Sequence, residues 1–140
     1  MIVLDTSFVF ALLDENDSHH QQATAWYVNE KTESFTTTPL VLAEIDHLLN
    51  KRAGSAVVKA FHADVRTGSL GVEWWPKLEL EAAEIADRYA ALGLGLTDAS
   101  LVALAGRLET SRIASFDERH FRAVEPLNGG SSFQLLPADA

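Results

Sequence analysis

Ile2, Val3 and Leu4 form an apolar run without alternation, the pattern of a short strand buried on both faces of a parallel sheet. Phe8 to Leu13 begin a helix that Thr6 or Ser7 can cap, with Asp5 as the other candidate for that turn. After the polar break Asp14 to Ser18, Ala23, Trp26 and Tyr27 give a second helix an apolar stripe to about Glu30, with Ser18 as its predicted cap. Ser34 to Thr37 are β-prone. Thr38-Pro39 then marks a helix start, a cap followed by proline at the first helical position. That helix runs to about Arg52 and carries Val41, Leu42, Ile45, Leu48 and Leu49 on one face. A fourth helix is predicted from Ser55 to about Arg66, ending near Gly68. A third strand follows over Leu70 to Trp75, stopped by Pro76.

Leu78 to Leu92 read as a long amphipathic helix, and Gly93 to Leu96 as a permissive loop. The next helix is capped by Thr97, has Asp98 in its first turn, and extends to about Thr110. Arg112 to Phe116 form a fourth strand that Asp117 terminates. His120 to Arg122 lie in a loop or short helix. Phe133 to Leu136 make a fifth strand, and Pro137 to Ala140 are expected to fray. Strands alternate with helices throughout, which predicts an α/β fold with a parallel sheet and helices on both faces. At 140 residues without a linker, repeat or low-complexity tract, residues 1–140 are expected to form one domain.

Composition narrows the setting. There is no cysteine, hence no disulfide framework and no thiolate metal site. No apolar run approaches membrane-spanning length, and the N-terminus lacks a basic segment, so no membrane contact and a cytoplasmic location are expected. The formal net charge of −9 argues against a general nucleic-acid coat protein. It suits a carboxylate cluster neutralised by divalent cations, and a basic protein partner.

Four carboxylates stand apart from the solvent-facing ones. Asp5 and Asp117 end strands, the edge where ligands bind in open α/β sheets. Asp98 opens a helix, where the helix dipole alone favours an acid. Glu44 lies three residues after Val41 and four before Leu48, on the flank of the apolar stripe, so it needs either a basic partner or a metal. If the first and fourth strands are neighbours, Asp5 and Asp117 face one another. Like charges crowded into one pocket call for a hard cation with oxygen ligands, Mg²⁺ or Mn²⁺. Such a cage suits metal-assisted hydrolysis of a phosphodiester.

The stretches Val3-Leu4-Asp5-Thr6-Ser7, Asp14 to His20, Pro39 to Ile45, Leu96 to Ala105 and Ser115 to Phe121, in that order, resemble the PIN-domain ribonucleases, in particular the VapC-type toxins of bacterial toxin–antitoxin pairs. The resemblance spans nearly the whole chain. It implies a PIN-like three-layer α/β/α sandwich with a mostly parallel sheet of about five strands in the order 3-2-1-4-5. It implies one or two Mg²⁺ or Mn²⁺ ions held centrally by Asp5 and Asp98, with Glu44 and Asp117 as further catalytic ligands or water-orienting groups. Thr6 or Ser7 would contact an outer water or a phosphate oxygen. The implied activity is endoribonuclease cleavage of transfer or ribosomal RNA that stops translation. A cognate VapB-like antitoxin would lie in a groove near the site, and homodimers are the implied assembly.

Other readings remain for several residues. Lys51, Arg52, Lys59, Arg66, Arg112, Arg119, His120 and Arg122 are either RNA-binding rim residues or ordinary surface charge. His19-His20 is either a ligand pair or a loop and helix start. Trp26, Trp74 and Trp75 either stack on bases or pack in the core or a dimer. A phospho-accepting receiver domain would need an aspartate ending the third strand and a lysine ending the fifth. Instead Trp74-Trp75-Pro76 ends the third, and the fifth has no lysine. A haloacid-dehalogenase-type phosphatase would need an aspartate where Ser7 stands. The alternative that keeps the fold is a catalytically inactive PIN-like protein-binding module.

Overall fold

All 140 residues are described in a computed structural model. The unalternating runs are strands: β1 (Ile2–Leu4), β2 (Phe35–Thr36), β3 (Arg112–Ala114) and β4 (Gln134–Leu136). They pair in parallel in the order β2-β1-β3-β4. β1 is buried along its whole length, which requires cover on both faces of the sheet. Seven helices supply the cover: α1 (Thr6–Leu13), α2 (His20–Asn29), α3 (Pro39–Arg52), α4 (Ser55–Thr67), α5 (Leu78–Arg88), α6 (Leu96–Arg107) and α7 (Glu118–Phe121). This is the three-layer PIN-like architecture the resemblance implied. Val3 pairs with Ile113 and Leu4 with Ala114, so the chain leaves β1 and β3 side by side at the point where strand order reverses.

The third predicted strand is the main departure. Of Leu70 to Trp75, only Val72 pairs, in one isolated parallel bridge with Thr37. Thr37 N donates to Gly71 O, and Glu73 N donates to Thr37 O. The ladder cannot lengthen because Pro39 starts α3 two residues beyond Thr37. The sheet therefore has four strands and a single-residue fifth position beside β2. A Cβ on Gly71 would lie 2.5 Å from Phe35 O, so only glycine permits this approach. Gly71→Ala is expected to lower unfolding stability by about 1–3 kcal/mol in urea titration, the scale of overpacking at a site that cannot give way. An unchanged midpoint would mean this edge is free to move.

Helix starts also differ in their chemistry from the sequence expectation. Asp5 itself, not Thr6 or Ser7, is the N-cap of α1. His19 precedes α2, and Ser18 does not cap it. Asp17 Oδ1 accepts from His19 N instead. Gly95 rather than Thr97 stands before α6, and Asp98 falls in its first turn. The predicted Leu78 to Leu92 helix ends at Arg88 and continues as a 3₁₀ turn over Ala90–Leu92. The tail does not fray. Asp139 accepts from Leu135 N and forms a two-toothed ion pair with Arg122. That guanidinium holds the Asp139 carboxyl down to about 2.

α6 is buried continuously from Ala99 to Ala105, as its near-uniform apolar composition demands. It packs along α5 and against α3 and β1. Thr38 precedes α3, but its hydroxyl does not cap that helix. It hydrogen-bonds the buried Ser100 Oγ at 2.8 Å, and Ser100 donates to Thr97 O. This bridge fixes the start of α3 against the first turn of α6. It thereby sets Glu44 relative to Asp98.

Candidate active site

The turn after β1 and the turn after β3 are stitched together by two serines. Asp5 Oδ2 accepts from Ser7 Oγ at 2.6 Å and from Ser115 Oγ at 2.7 Å. Ser7 Oγ in turn accepts from Phe116 N, and Ser115 Oγ from Asp117 N. Every hydrogen bond to the Asp5 carboxylate falls on Oδ2, which leaves Oδ1 for another ligand. Asp5 is 3% exposed. Burial raises its pKa, the two hydroxyls oppose that, and the charge of Asp117 adds to it.

Asp98 meets this pair from the N-terminus of α6. Its pKa is pushed up to about 7, first by burial and then by the charges of Asp5 and Asp117, against the opposing hydrogen bond from His120. Asp117 is the N-cap of α7 and accepts from His120 N through Oδ1. The His120 ring then spans the two acids: Nδ1 is 2.8 Å from Asp98 Oδ2 and 3.2 Å from Asp117 Oδ2. Glu44 completes the rim from α3. It is exposed and makes no ion pair, so the flank of the apolar stripe opens onto the cleft instead of being buried against a basic partner.

Asp5, Glu44, Asp98 and Asp117, with Thr6 and Ser7, thus surround one cleft of about 280 Å³. No lysine or arginine lines it. The sequence reading named all six of these residues. It missed Ser115, which positions Asp5, and it listed His120 only as a rim residue. The spacing of Ser115 and Asp117 about one strand end offers a weak signal for the first. His120 has none without the tertiary fold.

The donor set fits a hard divalent cation. One ligand atom from each of Asp98, Asp117 and His120 lies within 4.8 Å of the others. Asp5 Oδ1 and the Asp98 oxygen not engaged by His120 are further oxygen donors, the chemistry of Mg²⁺ and Mn²⁺. Thr6 Oγ1 is buried at this cleft with no hydrogen-bond partner, an orphan that a water or phosphate oxygen would satisfy. Ser7 has no such freedom, since its hydroxyl is held by Asp5 and Phe116 N.

Of the basic residues proposed for the rim, two are committed elsewhere. Arg112 pairs with Glu33, and Arg122 with Glu118 and Asp139. Trp26 packs edge-on against Phe8, and Trp75 is buried beneath Arg107. Trp74 alone of the three tryptophans is largely exposed.

Comparison with known proteins identifies the family of this fold. The model of the PIN-domain family matches residues 2–126. Ribonuclease VapC26 of Mycobacterium tuberculosis is 31% identical over 137 residues, covering 97% of this chain and all of the relative. The crystal structure of Mycobacterium tuberculosis VapC20, described as a sarcin–ricin loop cleaving toxin, superposes with a TM-score of 0.80 at 28% identity, over 93% of this chain and 99% of that one. FitAcB from Neisseria gonorrhoeae shares the fold at 16% identity, with a TM-score of 0.58 over 84% of this chain and 88% of that one. With the PIN-domain model matching residues 2–126 and 31% identity to a VapC ribonuclease over 97% of its length, the chain belongs to the PIN-domain family, among its VapC-type ribonucleases.

Proposed function

We propose that this protein is a Mg²⁺- or Mn²⁺-dependent endoribonuclease toxin that cleaves a structured RNA and stops translation. The observation that carries this reading is four carboxylates around one cleft that no lysine or arginine lines. In the proposal Asp5 and Asp98 are the central ligands. Glu44 and Asp117 complete the shell or orient the attacking water, and Thr6 Oγ1 holds an outer water or a phosphate oxygen. Ser7 and Ser115 position Asp5 through Oδ2. A bound divalent ion supplies Lewis acidity toward the phosphate and lowers the pKa of water. His120 Nδ1 bridges Asp98 and Asp117 and orients both carboxylates at the cleft.

The substrate is proposed to be ribosomal or transfer RNA. The sarcin–ricin loop is the first to test because VapC20 is described as cleaving it. A VapB-like antitoxin is proposed as the partner. An apolar hollow of about 360 Å³, walled in part by Leu12, Leu13, Tyr27, Phe61 and Leu70, supports it, since the apolar face of a basic segment would suit both the hollow and the acidic chain. A homodimer, one PIN domain over residues 1–140 and a cytoplasmic location belong to the same proposal. No helix is long and apolar enough to cross a membrane.

The test is incubation of antitoxin-free protein with total cellular RNA, a sarcin–ricin hairpin and transfer RNA. Mn²⁺, Mg²⁺ and EDTA are compared, with Asp5→Asn alongside, and new 5′ ends are mapped. Discrete products are expected only with metal and only from the unmodified site. Folded protein that yields none with any substrate would replace this reading by the inactive protein-binding module.

A further inference from the structure

Glu44, Leu48 and Arg52 succeed one another at four-residue spacing on α3, so one ridge runs about 12 Å along the helix. Its first residue lines the carboxylate cleft. Its last lines a neighbouring hollow of about 410 Å³. The two hollows are continuous, sharing Ser7, Leu48 and Asp117.

A column of rings ends at the second hollow, where its outer two members, Phe116 and His19, form part of the wall. Phe8 is fully buried, with Trp26 edge-on against it at 5.4 Å. Phe116 stacks on Phe8 at 6.0 Å and 24°, and His19 stacks on Phe116 at 4.2 Å and 16°. The column therefore rises from the core and ends on an imidazole whose side chain is 48% exposed. Polar neighbours fix that residue as well. Asp17 Oδ1 accepts from His19 N at 2.8 Å and lies 3.6 Å from its ring Nδ1, and Ser18 Oγ lies 3.4 Å from the same ring nitrogen. A half-exposed ring laid flat on the partly buried Phe116, which itself rests on the core ring Phe8, presents an ordered π-face without the entropy cost of ordering a loose side chain.

Arg52 supplies the charge. It lies 5.8 Å over the Phe10 ring and takes part in none of the molecule's ion pairs, unlike Arg112 and Arg122. In a protein of net charge −9, an unpaired guanidinium one step from an acidic cleft has a phosphate as its natural counter-ion. Asp17 and Asp117 are the hollow's two carboxylates.

Building on the ribonuclease reading, we propose that the second hollow is a nucleotide subsite flanking the scissile phosphate, with one base stacked on His19 and the adjoining phosphate held by Arg52. The subsite sets where the strand lies along the ridge of α3. It carries little information about base identity, because every base offers a π-face.

The test uses Asp98→Asn protein, which on the ribonuclease reading holds RNA without cutting it, and a short fluorescein-labelled single-stranded RNA followed by anisotropy. Adding His19→Ala is expected to weaken binding about tenfold, within the range of one lost base stack. His19→Trp is expected to bind at least as tightly as the parent, and His19→Leu to bind as poorly as His19→Ala. Arg52→Ala should reduce the slope of log affinity against log salt by about 0.7, the value for one phosphate contact on a single strand, and Arg52→Lys should retain it. In the otherwise unmodified protein, His19→Ala should scatter the cut site over neighbouring positions. RNA binding that ignores His19→Ala, or that Leu restores as well as Trp, overturns the subsite while metal-dependent cleavage still upholds the enzyme. Absence of both RNA binding and metal-dependent cleavage overturns the two together.

Discussion

Asp98→Asn is expected to slow RNA cleavage at least about 10³-fold in saturating Mn²⁺, because a metal-held phosphoryl site supplies several kcal/mol of transition-state stabilisation and each 1.4 kcal/mol is about tenfold. The substitution removes one charge and changes little else. Asparagine keeps an oxygen that accepts from His120 Nδ1, which lies 2.8 Å from Asp98 Oδ2. It keeps the position in the first turn of α6 that the Thr38–Ser100 bridge fixes. Fold loss is therefore not the expected route to inactivity. Mn²⁺ titration by calorimetry should show weaker binding in parallel with the lost rate. A variant that cleaved at the wild-type rate and bound Mn²⁺ as before would remove Asp98 from the metal site. The same variant with normal Mn²⁺ affinity and no cleavage would move its role from holding metal to organising the substrate.

The end of β1 and the acidic register were legible in the sequence because each depends on local pattern, whereas β3 stops at Ala114 and Asp117 caps α7 instead of ending the predicted Arg112 to Phe116 strand. β1 reads as buried from three residues, and Asp5 follows at its carboxyl end. Two readings offered as alternatives for that residue both hold: Asp5 is the N-cap of α1 and also sits at the cleft, using Oδ2 for the cap and for the serines. Glu44 was legible as an anomaly on an apolar flank, but whether that flank met a basic partner or an open cleft depended on how α3 sits against α6. The third strand failed because propensity is decided by neighbours. Leu70 to Trp75 has strand composition, yet its partner turns into a helix after Thr37. Only one residue pairs, Trp75 turns into the core and Trp74 outward. The roles of Ser115, His120 and the Phe8–Phe116–His19 column were barely legible for one shared reason. Each acts on a residue from another segment, over sequence separations of 110, 22 and 108 or 97 positions, and no local pattern records such a pairing. The tail was misread in the same way, since Arg122 ties it from outside the segment.

Without metal, the protein is expected to lose stability as pH rises from about 4 to about 7, and the Asp98→Asn protein to lose less. The sign follows from the site. Folding raises the Asp98 pKa from its ordinary 3.8 to about 7, so across that interval the folded chain keeps a proton that the unfolded chain has released. Stability then falls with pH, and the penalty is complete above about 7. Asp5, raised chiefly by burial, acts in the same direction. Between pH 5 and 7 the difference in stability between wild type and Asp98→Asn should change by about 2 kcal/mol in favour of the variant, in line with about 1.4 kcal/mol per pH unit and some relaxation. Urea titration in EDTA at several pH values measures it. At pH 7.5 the metal-free variant should be the more stable of the two, and millimolar Mn²⁺ should reverse the order by stabilising only the wild type, because a ligand of the folded state adds stability in proportion to the logarithm of its excess over Kd. Parallel pH curves for the two proteins in EDTA would mean that Asp98 is already compensated within the chain. His120, bridging Asp98 and Asp117, would then be the group to replace next, with His120→Ala expected to open the difference that Asp98→Asn did not.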